Sequence, residues 1–172
     1  MKPLDLNRLT GMSEFFYLKE DIKNDLPKYI LEFESGTLEP REMVYLFEEL
    51  ANSHFIFKSA GRFGRTTEGL VRDGYFQFIP DEQKFAQKIN GVQLPSNQST
   101  EDLILDWKSG ILSEQESAAL VLKTIKEDKL SLLRGDTNSA KVFMFLLQEN
   151  YVRLVANEQA IEVFLEKAGL NK

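Results

Sequence analysis

"EFESGTLEPREMVYLF", residues 32–47, is answered 74 positions later by "DWKSGILSEQESAALV", residues 106–121, with Ser-Gly and the next Leu in the same places. Setting 29–56 against 103–130 without gaps gives seven identities in 28 positions: Ile30/Ile104, Leu31/Leu105, Ser35/Ser109, Gly36/Gly110, Leu38/Leu112, Glu42/Glu116 and Leu46/Leu120. The match then resumes at an offset of 76, with "YFQFIPDEQ" (75–83) on "YVRLVANEQ" (151–159) and Leu70 on Leu146. Self-similarity that survives a change of length predicts a chain built from one plan used twice. The competing explanation is that similar helix punctuation arose independently at two places.

Reading both copies together gives the content of one unit. Apolar residues at helical spacing predict a first helix over 26–35, and Gly36 and Gly110 stop it and its twin, since glycine takes a left-handed φ without a Cβ clash. A second helix is expected over 40–52, with Pro40 harmless in its first turn, and over 114–126 in the other copy. Each copy continues with a short apolar piece, "FIFK" or "LSLL", and a polar glycine loop, "SAGRFGRTT" (59–67) or "RGDTNS" (134–139). Third helices are expected over 66–73 and 139–150. The alternating "YFQFI" and "YVRLV" read as short strands, and "PDEQKFAQKING" and "NEQAIEVFLEKAG" as fourth helices with acids first and lysine and glycine last. The predicted fold is mostly α: an N-terminal helical leader (1–25), a four-helix unit (26–91), a linker (92–100) and a second four-helix unit (101–172).

Composition narrows the function. The 172 residues carry a formal charge of −6 and no cysteine, which removes disulfides, thiolate nucleophiles and cysteine-bound metals. No stretch approaches the length of a membrane span, so a cytoplasmic protein is expected. The single histidine, His54, has no metal-pairing or acid–base partner at a recognised spacing and reads as a helix-end residue. Glu34, Glu48 and Glu49 read as a solvated helical face. Neither an enzyme nor a cofactor is expected from this inventory.

Two stretches stand out against the acidic background. Between His54 and Arg72, the cations Lys58, Arg62, Arg65 and Arg72 face only Glu68. The loop "GRFGRTTEG" (61–69) has neither dinucleotide-fingerprint nor phosphate-loop spacing. One use of it is anion or nucleic-acid binding, with Phe63 stacking on an unpaired base and the "YFQFI" strand acting as a wing. The plainer use is structural: the glycines turn the chain, Thr66 or Thr67 caps the third helix, and the arginines pair with Glu48 and Glu49. In the second copy Val142–Leu147 is apolar all round, so Phe143 and Phe145 must meet the core, a partner protein or a second copy of the chain.

The run 30–76 also resembles a small helical module encoded in many tailed-bacteriophage genomes. The matching positions are Gly36, Leu38, Leu46, Phe47, Glu49, Leu50, Ser53, Gly61, Gly64, Arg65, Thr66, Leu70, Gly74 and Tyr75; His54 and Lys58 depart from the pattern. That module has no established activity, so the resemblance implies a phage origin and not a mechanism. The expectation is a non-enzymatic phage accessory protein that binds a host or phage protein in the host cytoplasm, with a homodimer as a further use of its surface. Nucleic-acid binding through the glycine–arginine loop is the alternative.

Overall fold

A computed structural model describes residues 6–59, 61–127 and 144–170, with side chains from Phe15 onward. Its elements are α1 (Leu6–Asn24), α2 (Leu26–Glu34), α3 (Pro40–Asn52), a 3-10 turn (Phe55–Phe57), α4 (Gly61–Arg72), β1 (Phe76–Pro80), α5 (Glu82–Ile89), α6 (Thr100–Lys108), α7 (Glu114–Lys126), β2 (Val152–Ala156) and α8 (Glu158–Lys167). Residues 144–148 are helical as well. The chain is mostly helical, as its periodicity predicts. None of the described helices is long and apolar enough to cross a membrane. The "RGDTNS" loop and Phe143 lie outside the described residues.

The two Ser-Gly pairs do the same work. Gly36 and Gly110 have φ of 72° and 75°. Each donates back to a carbonyl in the last turn, Gly36 to Phe33 and Gly110 to Trp107, while Thr37 and Ile111 donate five residues back to Glu32 and Asp106. This is the paired bond set of a left-handed helix stop. The helices that follow open alike, with reciprocal capping boxes joining Glu39 to Glu42 and Ser113 to Glu116.

β1 and β2 form an antiparallel pair in which Phe76 faces Ala156, Phe78 faces Leu154 and Pro80 faces Val152. The ladder is centred on Phe78 and Leu154, which are the residues the 76-position offset sets equal. Beyond its ends, Asp81 N–H donates to the Tyr151 carbonyl and Asn157 N–H to the Tyr75 carbonyl, both at 2.8 Å. Asp81 and Asn157 then cap α5 and α8, accepting from Lys84 and Ala160 backbone N–H. His54, with φ of 65°, terminates α3 in a left-handed conformation, as its helix-end position suggested.

Packing crosses between the two halves. α3 lies on β2 and α7 on β1, and α7 also packs against α5. Among the described helices α3 has the most buried residues: Val44, Tyr45, Leu46, Phe47, Leu50 and Ala51. Its polar residues close the outer edge of β2. The Asn52 amide donates to the Leu154 carbonyl at 2.8 Å and accepts from Leu154 N–H at 2.9 Å, and Glu48 accepts from Ala156 N–H at 2.7 Å. Side chains from both halves enter one buried cluster, from Ile22 and Phe47 to Leu120 and Ile161.

α4 corrects the expected loop. The helix runs from Gly61, so "GRFGRTTEG" is helical, not a loop leading to a helix at 66. Phe63, Thr67 and Val71 fall at i, i+4 and i+8 and are all buried, and that stripe outweighs the poor helix propensity of the glycines and threonines. Neither threonine is a cap. Thr66 and Thr67 hydroxyls donate to the Arg62 and Phe63 carbonyls one turn earlier, both at 2.9 Å, which is the mid-helix pattern for these residues.

Candidate functional site

The basic stretch keeps its cations outside and its aromatic ring inside. Lys58, Arg62, Arg65 and Arg72 are exposed. Phe63 is only 6% exposed and sits among Phe55, Phe33 and Phe47 at centroid distances of 5.5, 5.6 and 6.2 Å. It therefore cannot present a face to a nucleic-acid base. β1 is likewise no wing, because its ladder partner is β2 from the other half.

The arginines do not pair with Glu48 and Glu49 either. Glu48 is taken by Lys19 at 3.3 Å and by the β2 backbone, which also corrects its reading as a solvated carboxylate. Arg62 lies over the Phe33 ring at 4.8 Å, and Arg72 pairs with its neighbour Asp73. In the second apolar stretch, Leu146 and Leu147 are buried in the core, while Phe145 remains 56% exposed. Phe145 stands at the mouth of a small cavity of about 160 Å³ shared with Phe85, Trp107 and Val121.

A different constellation is the most highly organised polar cluster among the described residues. Pro40 and the Glu39/Glu42 capping box fix the first turn of α3, and that aims Arg41 across to α8. Its guanidinium pairs with Glu158 through Nη1 and with Glu162 through Nη2, and also donates to the Tyr45 hydroxyl at 3.0 Å. The Tyr45 hydroxyl in turn donates to Glu158 at 2.5 Å. From the other side, the Phe15 ring of α1 covers the guanidinium at 3.9 Å.

Two i, i+4 pairs thus face each other: Arg41 and Tyr45 on α3, Glu158 and Glu162 on α8. The arginine side chain is 11% exposed, whereas the two carboxylates are 44% and 42% exposed. The cation is enclosed and the anions meet water, an arrangement that avoids desolvating both partners. Sequence reading missed this cluster, because a like-charged i, i+4 pair such as Glu158 and Glu162 costs only about 0.2–0.5 kcal/mol and names no partner.

The clamp has an electrostatic signature. Burial, then the hydrogen bond to Glu158, raises the Tyr45 phenol well above its ordinary value of 10.0. Arg41 is also raised; burial opposes its charge, but its hydrogen bond to Tyr45 and the nearby Glu158 outweigh that. A phenol that stays protonated in the folded state contributes stability that is complete below the unfolded value and is lost as pH rises through the folded one. Stability is therefore expected to fall with increasing pH above about 10, and Tyr45→Phe to flatten that alkaline slope. Urea midpoints measured from pH 8 to 11 on both proteins check the expectation; identical slopes would contradict it.

Beside the clamp, α1, the start of α3 and the end of α8 enclose a groove of about 630 Å³. Phe15, Tyr17, Leu18, Leu165 and Leu170 supply its apolar walls, and Asp21, Glu39 and Glu42 its polar rim. Tyr17 and Leu170 are 66% and 59% exposed. Among the described residues Arg41 is the one cation lining it, and it is already committed to α8. Among the described residues, no group of three or more His, Asp or Glu side chains is placed to hold a metal ion. No known protein family, characterised protein or solved structure matches the chain.

Proposed function

We propose that this is a non-catalytic accessory protein of tailed-phage origin, assembled from a duplicated helical unit, which acts in the host cytoplasm by binding another protein through the α1/α3/α8 groove. The observation that carries the binding role is the groove itself: Tyr17 and Leu170 exposed to water over half-buried Phe15, Leu18 and Leu165, beside the arginine clamp. A lone exposed leucine means little, but apolar residues converging on one concavity mark an interaction site. The duplication is supported by the β1/β2 register centred on equivalent residues, and by matched helix stops, capping boxes and strand-end bonds in both halves.

Affinity capture from bacterial host lysate tests the function, using the full chain and its Tyr17→Ser/Leu170→Ser variant side by side. A stoichiometric protein retained by the parent and lost by the variant is expected. Recovering none would overturn the reading.

Nucleic-acid binding is the second reading, favoured by the four exposed cations Lys58, Arg62, Arg65 and Arg72. It requires retention on DNA or RNA that weakens with salt and disappears in Arg62→Ala/Arg65→Ala. A flat response at low salt removes it.

A further inference from the structure

We infer that the groove selects a lysine- or arginine-rich amphipathic segment of its partner, an inference that rests on the protein-binding reading above. Three carboxylates, Asp21, Glu39 and Glu42, stand on its rim, and none of them is in an ion pair among the described residues. Glu42 accepts from the Glu39 backbone, which keeps its charge fixed at the groove edge. Arg41 offers nothing to an anionic ligand because Glu158 and Glu162 occupy its guanidinium. Among the described lining residues the charges left without an ion pair are therefore negative, the walls are apolar, and the whole chain is acidic.

Charge of this sign favours encounter with cationic segments and penalises acidic ones. The length is also limiting. Phe15 to Asp21 covers about 9 Å along α1, room for two apolar anchors about one helical turn apart. A second copy of the chain is the weaker occupant, since it would approach this acidic rim carrying net negative charge itself.

The test uses fluorescence anisotropy of the full chain with three labelled model peptides of about five helical turns: an amphipathic Lys/Leu helix, its Glu/Leu counterpart and a Lys/Ser peptide without apolar residues. The Lys/Leu peptide is expected to bind at least about tenfold more tightly than either of the others near physiological salt. Asp21→Lys/Tyr17→Ser should weaken that binding by about tenfold, whereas Glu149→Lys, a charge reversal outside the groove, should change it less than about twofold.

Equal binding of Lys/Leu and Glu/Leu peptides, or equal losses in the groove and Glu149 variants, would overturn the inference. So would self-association that Tyr17→Ser abolishes. If a lysate partner depends on Tyr17 and Leu170 while the peptides show no charge preference, the protein-binding reading stands and this inference falls. If no lysate partner is recovered, the protein-binding reading falls and takes this inference with it.

Discussion

Phe63→Ala is expected to destabilise the protein by about 3–5 kcal/mol, the range for removing a buried aromatic from a packed core. The ring is 6% exposed and touches three other phenylalanines, one each from α2, α3 and the 3-10 turn. Its loss opens a cavity where α4 meets α2 and α3, lined by the rings of Phe33, Phe47 and Phe55. Phe63→Leu keeps most of the volume and should cost about 1–1.5 kcal/mol. Urea denaturation of both variants with the parent measures the difference. A loss below about 1 kcal/mol for Phe63→Ala would place the ring in solvent and restore its reading as a stacking platform.

That reversal shows what the sequence carries and what it hides. α3 and α7 were legible because their apolar residues recur at helical spacing, and the glycine stops were legible because a left-handed φ leaves few alternatives. Each of those signals is local. The start of α4 was obscured because its inward stripe contains Thr67 in place of an apolar residue, and glycines at 61 and 64 read as a loop. The arginine clamp was hidden for another reason: Arg41 meets Glu158 across 117 positions and Glu162 across 121, and no periodicity links them. Glu48 failed similarly. A carboxylate on an amphipathic helix is normally solvated, and only the approach of β2 turns this one into a backbone acceptor.

The edge of β2 supplies the second large effect. Leu154 directs its N–H and C=O away from β1 to the single side chain of Asn52, so α3 stands in for a third strand. In Asn52→Ala both groups lose their partner at once beneath a packed helix. A buried group left unsatisfied costs about 1–3 kcal/mol, so the expected total is about 2–4 kcal/mol, reduced to the extent that water reaches the gap. Asn52→Asp retains the acceptor for Leu154 N–H and loses the donor to its carbonyl, and it should fall between parent and alanine. The corresponding position in the other half is Lys126, which pairs with Glu82 at 2.7 Å. Hydrogen exchange distinguishes this local role from general destabilisation. The Leu154 amide should exchange faster in Asn52→Ala than the global loss of stability explains, while the ladder amides facing β1 follow the global value. Unchanged protection at Leu154 would mean that α3 packs on β2 without closing its edge.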